Sequence, residues 1–281
     1  PASMRHALEE RVAPLSKAAM RVARTLAISR RSLDLDTLEE ASPSSEDDIM
    51  DAIDELVDQG IVVESRRDDL ERVELSQARF RDVLLTGDLA LMHRQMGEAL
   101  EKNYRHRVGE IVEELAYHFE NADVPAKAYR YLLLTANRHL NRSLFEESLQ
   151  FLDRALALEP TARPLMMLDA ADRSLAELYL SRSQSRLATG GWSDALDDVR
   201  NAESIAAQLE APRLMAKIAT EYGRQLRNLG RADEAARKLR EALTASDRSG
   251  DQALRPMPLY LLGGILWGRG QLDEAEGLWT E

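Results

Sequence analysis

The residues whose types and spacing could do chemistry are few. Gly263-Gly264-Ile265-Leu266-Trp267-Gly268-Arg269-Gly270 has the G-x-x-x-x-G spacing of a phosphate loop, which also needs a Lys to reach the phosphates and a hydroxyl to hold the metal. Arg269 and Gly270 stand in those two places, so the stretch lacks the groups that nucleotide chemistry requires. The histidines His6, His93, His106, His118 and His139 form neither H-x-x-x-H nor H-E-x-x-H. His118 lies one turn after Glu114 and His106 one turn before Glu110, which read as ordinary pairs on a helix surface. G-x-S-x-G and the kinase motif set are absent, and no catalytic carboxylate pair can be named. The expectation is a chain with no catalytic residue, no metal site and no cofactor, and so not an enzyme.

Composition points the same way. The 281 residues carry a formal net charge of −12, which favours solubility and opposes polyanions. The absence of cysteine excludes disulfides, thiolate metal sites and cysteine nucleophiles and is compatible with a reducing compartment. The longest apolar run, Met257 to Trp267, is about half of a membrane-spanning helix and contains two glycines. These features read as a cytoplasmic protein with no membrane partner. The opening Pro-Ala-Ser-Met and the break in an apparently helical stretch at Leu-Trp-Thr-Glu read as a fragment of a larger polypeptide.

The elements that position the remaining polar residues come from a repeat. Gly190, Gly230 and Gly270 recur every forty residues, with Ala195, Ala235 and Ala275 five residues after each. Each glycine follows an apolar-periodic helix and suits the left-handed position that ends it. The alanines lie early in the next helix, where a small side chain lets paired helices approach. An earlier unit lacks the turn glycine but carries Ala136, Phe145, Ser148, Leu152, Ala155 and Pro160 at the spacing of the 34-residue tetratricopeptide (TPR) pattern. Ser148 departs from the usual alanine. Residues 125–281 thus resemble about four TPR helix pairs, the last one truncated.

Residues 1–86 read differently. Pro14 to Ile28 carries a helical stripe, Leu33 to Ala41 reads as a short second helix, and Ser45 to Gln59 as a third with Ile49, Ile53, Leu56 and Val57 buried. Ser45 is its N-cap and Gly60 its stop. Two alternating runs around Arg66-Arg67-Asp68-Asp69 then form a hairpin, and three helices with a hairpin make a winged helix. Residues 87–124 form a helical connector. The fold class is therefore mainly α: a winged-helix domain followed by a TPR-like α-solenoid of antiparallel helix pairs.

The third helix would be the recognition helix of a DNA reader. It carries Glu46, Asp47, Asp48, Asp51, Asp54, Glu55 and Asp58 and no Lys or Arg, so a duplex would repel it and nucleic acid is disfavoured as a partner.

The series LSKAAMRVARTLA, SEDDIMDAIDELVDQGIVVES, MHRQMGEALEKNY and EELAYHFENADVPAKAYRYLLLTANRHL resembles the region after the nucleotide-binding domain of STAND-class signalling ATPases, many of them bacterial kinase, cyclase or regulator proteins. The resemblance runs through essentially the whole chain, with AYHF…AD…AKAYRYLL its most specific part. It implies a winged helix that docks on an upstream ATPase domain, absent from this chain, and a TPR superhelix that senses a partner. Relatives often carry a histidine after the second wing strand that faces bound ADP, and Gln77 stands there. Glu46, Asp47, Asp51, Asp54 and Gln77 are the candidate interdomain docking residues.

Carried over from the TPR register, the concave face comprises Arg130, Leu133, Asn137, Asn141, Gln184, Leu187, Lys217, Thr220, Arg224, Arg227, Asn228, Tyr260 and Trp267. That set contains no acid, and it fits a protein or peptide partner bearing carboxylates. The functional expectation is a non-catalytic regulatory fragment of a STAND-type protein, its partners being that peptide and the upstream domains of its own polypeptide. Two alternatives are a DNA-binding transcriptional regulator with a TPR sensor half and a plain assembly scaffold.

Overall fold

The computed structural model describes residues 2–42, 44–67 and 70–280; the expected hairpin tip at Asp68-Asp69 lies outside them. The chain divides into two compact units, Pro1–Tyr131 and Leu132–Glu281.

The first unit begins with α1 (Ala2–Val12), an element the sequence pattern did not suggest. In α2 (Lys17–Ile28) the Ser16 side chain accepts from the Ala19 amide, and Ala19, Val22, Ala23 and Leu26 form the buried stripe. The second helix is shorter than expected. Leu33–Asp34 is a strand, β1, and only Leu35–Ala41 is helical, as α3. The cause is the Asp34 carboxylate, which accepts from the Thr37 amide at 2.9 Å; an N-cap residue is extended, so the chain before it is free to pair in a sheet.

Helix α4 (Glu46–Asp58) has Ser45 as its N-cap and buries Ile49, Ala52, Ile53 and Leu56. Val57 was expected inside and is instead 38% exposed, because the helical period centres the buried face on Ala52 and Leu56 and leaves Val57 at its edge. Gly60 follows at φ +61°. Strands β2 (Val62–Arg67) and β3 (Leu70–Leu75) pair antiparallel, and β1 joins the far side of β3 to give the order β1-β3-β2. Helix, short strand, two helices and a hairpin is the element order expected of a winged helix.

Helix α5 (Arg81–Leu84) is tied to the end of α2 by Arg81, which donates to the Ala27 and Ser29 carbonyls. Such carbonyls have no partner within their own helix. Helices α6 (Ala90–Asn103) and α7 (Val112–Asn121) belong to this first unit. They meet closely where Gly97 lies under the Phe119 ring; an added Cβ would sit 2.9 Å from it.

Helix α8 (Pro125–Asn141) enters the second unit, where it is followed by α9 (Phe145–Ala162). Three further pairs follow: α10 (Leu168–Ala188) with α11 (Trp192–Ala206), α12 (Pro212–Asn228) with α13 (Ala232–Ser249), and α14 (Pro256–Gly268) with α15 (Leu272–Thr280). The turns within these three pairs hold Gly190, Gly230 and Gly270 at φ 89°, 74° and 77°, as the repeat predicts. In the α8–α9 turn Ser143 takes the same left-handed place at φ 60°. Ala195, Ala235 and Ala275 are fully buried at the contact inside each pair. This unit is a TPR-like α-solenoid. Among the described residues no helix is long and apolar enough to cross a membrane.

Candidate partner-binding surfaces

The first helix of each pair presents its outward stripe at every third or fourth residue. On α12 that stripe is Lys217, Thr220, Arg224, Arg227 and Asn228; on α14 it is Met257, Tyr260, Gly264 and Trp267, at i, i+3, i+7 and i+10. Tyr260 and Trp267 are 63% and 61% exposed. The Arg227 guanidinium lies over Gly264, 3.7 Å from where a side chain would begin, so the two helices share one polar and aromatic strip. On α10 Gln184 and Leu187 are half-buried, and on α8 Asn137 is half-buried and Asn141 exposed. Arg130 is exposed on the part of α8 that belongs to the first unit.

The strip is less basic than its composition suggested. Glu221 is 4% exposed and accepts from Arg224 at 2.7 and 2.9 Å. Glu177, forty residues before Lys217, is exposed on α10, so acids do belong to this face. Two predicted contacts already have their polar atoms engaged: Asn137 accepts from Ser181 at 2.8 Å, and Thr220 donates to its own helix at Ala216. Lys217 and Arg227 form no ion pair among the described residues, and they are the free cations of the strip.

A polar layer beneath it escaped the sequence reading. Arg182, 8% exposed, forks onto Asp198, 1% exposed, at 3.0 and 2.6 Å. Arg186 reaches the same carboxylate at 2.8 Å. Ser183 donates to the Ala195 carbonyl at 2.8 Å, and Gln225 donates to Ser183 at 2.5 Å and to Glu221 at 2.8 Å. Ser185 and Ser148 meet at 3.2 Å. The available signal was polar residues on the stripe facing the partner helix; Ser183 holds the register of Gly223 and Gly263.

In the first unit Glu46, Asp47, Asp51, Asp54 and Gln77 are all exposed. The four acids have no ion pair among the described residues, while Met50 and Val57 show 40% and 38% of their surface beside them. Gln77 precedes the short turn Ala78–Phe80, well outside α4. The structure therefore gathers the acids on one helix and keeps Gln77 apart from them in the chain.

His118 was read as a helix-surface residue and is instead buried against a second histidine. His93 on α6 and His118 on α7 are 4% and 0% exposed, and their Nδ1 atoms are 2.9 Å apart. Glu114 Oε1 is 3.9 Å from the far nitrogen of His118 and accepts from the Arg30 amide at 3.0 Å. Tyr117 meets both rings edge-on. Burial, then the neighbouring His118, pushes His93 down to about 4. No group of three His, Asp or Glu among the described residues could hold a metal ion.

No family model matches the chain, and no curated protein does. Solved structures do. The chain is similar to BtubC from P. vanneervenii, with a TM-score of 0.51 at 12% identity over 68% of this chain and 76% of that one. It is similar to RapI in its apo form, with a TM-score of 0.52 at 12% identity, where it covers 86% of itself but only 61% of that protein. A STAND protein with a tetratricopeptide repeat sensor from Pyrococcus horikoshii aligns over 96% of this chain and 50% of that one at 12% identity, with a TM-score of 0.38, too low to equate the two folds. At these identities the likeness shows the fold alone, a TPR-like helical repeat.

Proposed function

We propose that the chain is a non-catalytic regulatory module whose TPR-like strip binds a carboxylate-bearing protein segment. The observation that carries this is the pairing of two free cations, Lys217 and Arg227, with two largely exposed aromatics, Tyr260 and Trp267. Cations give an acidic segment its approach and register, and aromatic rings supply rigid contact area at small entropic cost. In this reading the first unit is the docking arm toward an upstream ATPase domain, which the acidic face of α4 and the resemblance of the sequence to STAND proteins support. Partner binding would then bias that ATPase between two states. Unpaired carboxylates on α4 weigh against the DNA-reading alternative.

The test is anisotropy of a fluorescein-labelled oligoglutamate peptide titrated with the chain, beside the double charge reversal Lys217→Glu/Arg227→Glu. Saturable binding that weakens with salt and falls at least about tenfold in the double variant supports the groove. Equal binding by both proteins would remove it.

A further inference from the structure

Arg224 is the cation at the centre of the strip, and the chain already supplies it with a carboxylate. Glu221 holds it poorly. Both Glu221 oxygens are reached by the single terminal nitrogen Nη2, whereas the strong arginine–carboxylate geometry uses two parallel N–H bonds from two nitrogens. Arg224 Nε is buried and has no hydrogen-bond partner, and neither does Gln225 Oε1. Buried polar atoms are nearly always satisfied, so two such atoms on adjacent residues mark an arrangement short of its best bonding.

Glu221 is also the end of a relay. Gln225 Nε2 donates to Glu221 and to Ser183 Oγ, and Ser183 Oγ donates to the Ala195 carbonyl in the first turn of α11. A change at Arg224 thus reaches the preceding helix pair through three side chains.

We propose that Glu221 is an internal stand-in for the partner's carboxylate: an incoming carboxylate takes the arginine fork of Arg224, and Glu221, once released, passes the change to α11 through Gln225 and Ser183. Specificity for an acidic segment is therefore set against an internal competitor, and only a group that offers both oxygens to Arg224 displaces it. A lone backbone carbonyl offers only one oxygen and does not. The inference rests on the groove reading above and adds to it a residue outside the list of contact positions.

Glu221→Gln tests it. The isosteric amide keeps the shape of the side chain and its bond to Gln225 while giving up the charge that competes for Arg224. Expected is a gain of about fivefold in affinity for the oligoglutamate peptide, the scale of one half-exposed ion pair. In the wild type, peptide should speed amide hydrogen exchange in the first turn of α11. Should Glu221→Gln fail to fold, Glu221→Asp, which withdraws the carboxylate by one methylene, should shift affinity the same way by less. Peptide binding that Glu221→Gln leaves unchanged or weakens overturns the competitor while leaving the groove in place. No binding by the wild type, with the lysine and arginine intact, overturns both.

Discussion

His93 and His118 share one hydrogen bond between like atoms, Nδ1 to Nδ1 at 2.9 Å, inside the contact between α6 and α7. One ring must carry a proton there and the other must not, so the pair tolerates no more than one imidazolium. The far nitrogen of His118 has no hydrogen bond, and the nearest acid, Glu114, is 3.9 Å away. Burial disfavours a charge on His93, so the neutral pair is the one the folded contact between α6 and α7 holds.

The sign of the resulting pH dependence follows from the lowered His93 value of about 4 against 6.5 for the free side chain. Between those values the unfolded chain binds the proton and the folded chain does not, so stability falls as pH drops from 6.5 toward 4 and the loss is complete below that window. The full effect is on the order of 3 kcal/mol. Urea unfolding at a series of pH values should show it. His93→Phe should flatten the slope across this window, and an unchanged slope would assign the acid sensitivity elsewhere.

Gly223 and Gly263 hold the same place in successive pairs and should respond unequally to alanine. A Cβ at Gly223 would lie 2.7 Å from Leu239 Cγ and 3.3 Å from the Ala235 carbonyl, and Leu239 is fully buried. Gly223→Ala should cost about 1–3 kcal/mol. At Gly263 the neighbour is Trp279, itself 47% exposed and able to swing away, so alanine's helix propensity, about 1 kcal/mol better than that of glycine, offsets the crowding. Denaturant midpoints of the two variants decide this.

Asp198 neutralises two arginines at once. Removing it as Asp198→Ala leaves Arg182, whose side chain is 10% exposed, with only the solvent-facing Asp153 at 3.2 Å, and should cost about 3 kcal/mol. The double variant Arg182→Met/Asp198→Leu should recover part of that, because it removes the buried ion pair and leaves only Arg186, whose side chain is 26% exposed, without its carboxylate. If the double variant is as unstable as the single one, the pair's worth lies in geometry that packing cannot replace.

Ser143 sits at φ 60°, in the register position that glycine fills in the later pairs. Ser143→Gly should stabilise the chain by about 1 kcal/mol, the usual penalty for a side chain in the left-handed region. A thermal melt of the variant suffices, with Gly230→Ser as the reverse experiment.

What the sequence disclosed was whatever repeats or punctuates. The forty-residue spacing of Gly190, Gly230 and Gly270 located the turns, and Ser45 and Gly60 bounded α4 because capping is local chemistry. The missing pieces are tertiary. Leu33–Asp34, freed from the helix by the Asp34 cap, is a strand because β3 lies alongside it, and α1 has too weak an apolar stripe to announce itself. His93 and His118 are twenty-five positions apart, and nothing in their local patterns says that α6 and α7 bring them together. The acid-free list of groove residues omitted Glu221 for a related reason: register picks out positions pointing outward, while Glu221 reaches Arg224 from one residue beside the stripe.

The side-chain bonds that cross from pair to pair make the solenoid's units non-interchangeable. Ser185 answers Ser148 in the preceding pair and Ser183 answers Gln225 in the following one, so each unit carries half of a lock cut for a particular neighbour. Splicing the α12–α13 unit directly onto α8–α9 would keep the backbone period and leave Ser148 without its hydroxyl partner, with Gln225 in the place of Ser185. A unit duplicated or moved within this array would need those positions refitted, because the bond it makes with one neighbour is not the bond it makes with another.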